Sequence, residues 1–187
     1  MTLLLLGILI WVAVHAFKRV APDARARLDA RLGPGPARGL TAALLLLATV
    51  LIVIGFRGAP VVPVYDPPSW GIHLNNLMML CAVFLLGAGH SKGVARSWMR
   101  HPMLTAVAVW AVAHLLVNGD RASLLLFGAM GLWALAEMAL ISAREPAWVR
   151  PAPGTAAGTA RWVVISLVVF AVITGIHTWL GYWPFPQ

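Results

Sequence analysis

TLLLLGILIWVAVHAFKRVA, residues 2–21, carries no formal charge before Lys18. At roughly 1.5 Å per residue it is long enough, as a helix, to cross about 30 Å of hydrocarbon. Apolar runs of the same kind recur at 39–56, 71–89, 102–117, 122–143 and 161–182. The chain of 187 residues is 60% hydrophobic and 11% charged. Globular chains run near 25% charged, so a soluble domain of this size would have more apolar surface than it could bury. The expected fold is an all-α integral membrane protein, one domain over 1–187, forming a compact bundle of about six transmembrane helices in the lipid bilayer.

The formal net charge of +8 does not indicate a nucleic-acid partner, because the basic residues lie in short segments between apolar runs. Six Lys or Arg follow the first run, three follow the third and three follow the fifth, whereas the opposite side holds only Arg57 and Arg121. Basic loops stay in the cytoplasm. This predicts a multi-pass protein of the inner membrane with both termini outside. The first run has neither a positive segment before it nor a small-x-small cleavage site after it, and so reads as a retained helix.

The connecting segments have their own signals. APDARARLDARLG, residues 21–33, sets Arg25, Arg27 and Arg31 with Asp23 and Asp29 beside Leu28 and Leu32, the pattern of a short helix lying at the headgroups. Gly33, Pro34, Gly35 and Pro36 mark a break before the second run. Trp70 and the terminal WLGYWPFPQ read as interfacial aromatics, and Asp120 as the N-cap of the fifth run. Cys81 is the only cysteine, which excludes an internal disulfide, a thiolate metal cluster and covalent haem attachment.

Ionisable groups inside membrane spans are costly and point to function. All six histidines lie in or at the ends of the apolar runs. Met103, Val107, Trp110, His114 and Asn118 share one helical stripe, as do Leu4, Ile8, Trp11 and His15, and Ser166, Phe170, Thr174 and His177. His101 is rotated some 220° from His114 and cannot serve the same pocket. Imidazoles from different helices among apolar side chains suit a b-type haem, with His15, His114 and His177, and His73 at the start of its run, as the candidate iron ligands. Trp11, Met103 and Trp110 would contact the macrocycle, and Arg19, Lys18 and Arg100 are the available propionate partners. Zinc is less suited, since the histidines lack tight ligand spacing. Glu137 shares a stripe with Ser123, Met130 and Trp133 and is expected to pair with Arg144, Arg100 or Arg96.

Several motifs carry a family resemblance: VHAF around His15, ARLG and GPARGL before the second run, GIHLNNLMML at His73, RHPM at 100–103, WAVAHLLVNGD at 110–120 and LLLFG at 124–128. In these the chain resembles the NnrU family of bacterial membrane proteins, and also the 15-cis-zeta-carotene isomerases, which are haem-b membrane enzymes. The NnrU resemblance implies a context of nitrite and nitric oxide metabolism. The isomerase resemblance implies axial ligation by His15 and His114, and redox-dependent isomerisation of a hydrophobic polyene. The isomerases carry a cysteine where this chain has Ala111, three residues before His114. RHP also opens a helix in isoprenylcysteine methyltransferases, but Leu104, Thr105 and Ala106 follow here in place of their glycine. Nitric oxide or a hydrophobic small molecule is the expected ligand. The alternative class is a cofactor-free assembly factor or a proton-relay transporter.

The charge asymmetry predicts that alkaline phosphatase fused after Gln187 is active, and that a reporter functional only in the cytoplasm is silent there. The reverse pattern would overturn the orientation.

Overall fold

The structure, a computed structural model, describes residues 1–186. Among them are seven α-helices: α1 Thr2–Val20, α2 Pro22–Leu32, α3 Pro34–Arg57, α4 Gly71–Ala88, α5 Pro102–Leu115, α6 Arg121–Arg144 and α7 Ala156–Trp179, with a 3-10 turn at Val94–Ser97 before α5. Five of them, α1, α3, α4, α6 and α7, are long and apolar enough to cross a membrane. α5 is apolar but has only 14 residues, about 21 Å of helix. Outward-facing side chains such as Leu9, Leu46 and Leu132 are about two-thirds exposed, at 64%, 66% and 70%. Such a continuous apolar exterior matches lipid and would drive aggregation in water.

Element boundaries follow local chemistry. The Arg-rich segment forms α2, which buries no residue and carries an i,i+4 pair between Arg25 and Asp29 at 3.0 Å. The break expected over Gly33–Pro36 is confined to Gly33, at φ +82°, and Pro34 already lies in the first turn of α3. Proline fits there because its missing N–H would have no partner in any case. α7 begins before the expected 161, because the Thr155 hydroxyl caps it by accepting from Gly158 N. Asp120 caps α6 as expected, accepting from the Ala122 and Ser123 amides and the Ser123 hydroxyl. Burial raises the Asp120 pKa, but these hydrogen bonds to its charged form outweigh burial and hold it below the usual carboxylate range.

The helices pack in the neighbour order α3–α1–α6–α5–α4–α7, with α3 also touching α6 through Phe56 and Phe127. α3 and α1 pack through small residues: a Cβ added at Gly7 would lie 2.7 Å from Ala48 O, and one at Gly55 would overlap the backbone of Leu3 and Leu4. Close backbone approach of this kind drives helix association where lipid removes the hydrophobic contrast. α1 then meets α6 through an ion pair, Arg19 to Glu137 at 2.5 Å, with the Glu137 side chain 6% exposed and that of Arg19 20%. The expected partners Arg144, Arg100 and Arg96 are not used: Glu137 faces α1, whereas Arg100 donates to the carbonyls of Glu145 and Pro146. At the other edge, α7 is anchored at its start. Trp162 is buried among Phe84, Ala88, Ala95 and Trp98 and donates to Phe84 O at 3.0 Å, while Lys92 O accepts from Thr155 N.

Two outcomes test this packing. Gly55→Val should destabilise the detergent-solubilised protein by about 1–3 kcal/mol through overpacking, while Gly175→Ala, whose site has no neighbour within 4 Å, should be neutral or slightly stabilising in thermal melts. Glu137→Ala should cost about 3 kcal/mol, the lower end for a broken buried pair because Arg19 retains some exposure, and the double replacement of Arg19 and Glu137 by Leu should recover most of that loss.

Candidate functional site

Of the six histidines, His73 and His90 are exposed and the other four are half-buried. His73 lies on the face of α4 away from buried Asn75. His114 and His177 both line one cleft of about 240 Å³, floored by Met79 and Ala82 of α4 and walled by Val107 and Trp110 of α5 and Ile173 of α7. Phe127 of α6 backs the His114 ring, stacked on it with centroids 4.6 Å apart, and Trp110 meets that phenyl ring edge-on at 4.9 Å. The lining is apolar apart from the two imidazoles.

One local bond gives these imidazoles their chemistry. His114 Nδ1 contacts Trp110 O at 2.9 Å and His177 Nδ1 contacts Ile173 O at 2.8 Å, each four residues back on its own helix. A carbonyl only accepts, so Nδ1 must carry the hydrogen, and Nε2 of each neutral ring keeps its lone pair. Histidines that ligate metals are oriented in the same way, the second nitrogen being fixed by a hydrogen bond.

His15 makes the same bond, to Trp11 O at 2.9 Å, but lies elsewhere. Its ring packs on Trp11 and on Trp133, with centroids 4.5 and 4.8 Å away. α6 stands between α1 and α5. His15 is level with Trp133 and His114 with Phe127, six residues apart on α6, or about 9 Å along its axis. His15 is therefore not brought to the His114 cleft. Around it, the indole N–H groups of Trp11 and Trp133 are buried with no partner.

The other expected contacts scatter likewise. Trp110 lines the cleft, Trp11 stays with His15, and Arg19 is held by Glu137. Arg100 and Met103 line a second cleft with His90 and His101 at the basic end of α5, where His101 Nε2 contacts Ser142 Oγ at 3.1 Å. His101 is thirteen residues, about 19 Å, from His114. Phe127, Ala82 and Ile173 were not singled out as site residues. The LLLFG motif contains Phe127, but nothing in its spacing indicates which neighbour it faces. Among the described residues no three His, Cys, Asp or Glu side chains come together, so the donors present occur at most as pairs.

No curated protein and no solved structure matches the chain. The family model described as NnrU protein matches residues 3–184 of the 187. With nearly the whole length covered, the chain belongs to the NnrU protein family.

Proposed function

We propose that this NnrU-family protein crosses the inner membrane six times, with both termini outside, and binds haem b through His114 and His177 in the α4–α5–α7 cleft, acting in nitrite and nitric oxide metabolism. The observation that supports this reading is the pair of imidazoles on facing helices, both with Nδ1 tied to a carbonyl and Nε2 free in an apolar cleft. The donor set fits haem b: two imidazole nitrogens, aromatic and aliphatic walls, and a lone Cys81 outside any CxxCH motif for covalent attachment. His177 is proposed in place of His15, the partner implied by the isomerase resemblance, because His15 packs on Trp133 of α6 and does not line the His114 cleft. Haem b held there would supply a one-electron couple and an iron able to take a diatomic ligand. The chain's own contribution is to hold both rings in one tautomer and to keep water from the site with Met79, Val107, Trp110 and Ile173. The cleft volume lies just under the usual range of about 300–1,000 Å³ for ligand pockets, and the outer half of α7 packs more loosely than its start, which leaves room to widen.

A second reading, isomerisation of a hydrophobic polyene at the same haem, is favoured by the apolar lining and by partly exposed lining residues such as Leu86. The two readings separate on substrate: reduced protein that binds nitric oxide but leaves zeta-carotene isomers unchanged supports the first.

The pyridine haemochrome spectrum of the detergent-solubilised protein should be that of haem b, and acid-acetone should extract the colour. Absence of a Soret band would leave the cofactor-free alternative. His114→Ala and His177→Ala should each abolish or grossly shift the band, whereas His15→Ala should keep a six-coordinate spectrum. Loss of haem in His15→Ala with an unchanged His177→Ala spectrum would assign the second ligand to α1.

A further inference from the structure

The cleft at the basic end of α5 takes no part in the proposed haem site, and its chemistry differs. It is a cavity of about 280 Å³ between the foot of α4 and the start of α5, lined by His90, Arg100 and His101 on one side and by Met103 and Leu104 on the other. The connecting segment 89–101 contains Lys92 and Arg96 as well and no acidic residue. Two carboxylates lie near: Glu137 is paired with Arg19, and Glu145, at the C-cap of α6, is exposed.

We propose that this cleft binds a phosphate group, carried either by an anionic phospholipid or by a free phosphate. Arg100 is preorganised for the task. Its two terminal nitrogens reach the Glu145 and Pro146 carbonyls, neutral acceptors that fix the guanidinium without cancelling its charge. Burial first, then Arg100 and Arg19, hold the His101 pKa below the usual imidazole range against the opposing effect of Glu145, so His101 is a neutral partner beside the fixed positive charge of Arg100. Backbone donors add to this. Pro102 has no N–H, no side chain caps α5, and the first intrahelical bond is Thr105 N to His101 O, so the Met103 and Leu104 amides have no helical partner. Uncapped amides at the positive end of a helix dipole favour an oxyanion. Met103, 45% exposed, continues the wall in apolar form, as an acyl chain below a headgroup requires.

Native mass spectrometry of the full detergent-solubilised chain tests this with dimyristoyl-phosphatidylglycerol, inorganic phosphate and, as the phosphate-free control, dimyristoyl-glycerol. One phosphatidylglycerol should be retained and the diacylglycerol should not. Arg100→Gln should weaken retention about tenfold, and Arg100→Lys should restore most of it. His90→Glu places a carboxylate at the exposed rim, away from any recorded hydrogen bond, and should weaken retention by a similar factor with unchanged melting, which covers the case of a poorly folded Arg100→Gln. Displacement by millimolar inorganic phosphate assigns the site to free phosphate, and persistence of the lipid assigns it to the headgroup. Equal retention of diacylglycerol, or wild-type retention in both His90→Glu and folded Arg100→Gln, overturns the proposal.

Discussion

The Arg19–Glu137 pair fixes how the two halves of the molecule meet. α3, α1 and α2 form one hairpin-like group held by close backbone approach, and α6, α5 and α4 form another held by aromatic and aliphatic packing. Between the groups, α1 meets α6 along a seam of the ion pair, His15, Trp11 and Trp133, with Leu4 and Ile8 in the shared core, and α3 meets α6 through Phe56 and Phe127. In surroundings of low dielectric constant an unpaired charge is far more costly than in water, so the pair also sets the register of that seam. With α1 placed there, His15 meets α6 at Trp133 and His114 meets it at Phe127, on different faces and at different levels of that helix.

Three histidines on three helices share one device, the Nδ1 bond to the carbonyl four residues back. It costs no tertiary partner and leaves Nε2 as the group that meets the environment. What that environment is differs in each case. For His15 it is two indoles, which makes the ring part of a packed seam. For His114 and His177 it is a shared cleft. The local sequence decides the tautomer, and the neighbouring helix decides its use.

Much of this was legible in the residues themselves. Six apolar runs, the surface helix at Pro22–Leu32, the Asp120 cap and the stripes on α1, α5 and α7 all follow from periodicities of a few residues, which the chain carries locally. The neighbour order of the helices is not local. The expected partners of Glu137 are Arg144, two turns on, and Arg100 and Arg96 in the segment before α5, yet its partner is 118 residues away on α1. The same gap separates the expected ligands His15 and His114 from the cleft that His114 shares with His177, and Met103, expected on the His114 stripe, lines the other cleft: spacing along one helix says nothing about which helix stands opposite. The early starts of α3 and α7 were missed because proline and threonine near a break read as loop when they in fact open the helix.

The uneven anchoring of α7 has a mechanical consequence. Trp162, Thr155 and Thr159 clamp its first turns to α4 and the Lys92–Val94 backbone, whereas around Ile173 and His177 the helix borders a cleft in place of a packed core. A rod clamped at one end is a cantilever: a small rotation at the clamp becomes a large displacement at the tip, with little packing to oppose it. On the proposed reading, a nonpolar ligand that dissolves in the bilayer would reach the two imidazoles already concentrated and stripped of water, and its supply would be governed by partition into the lipid.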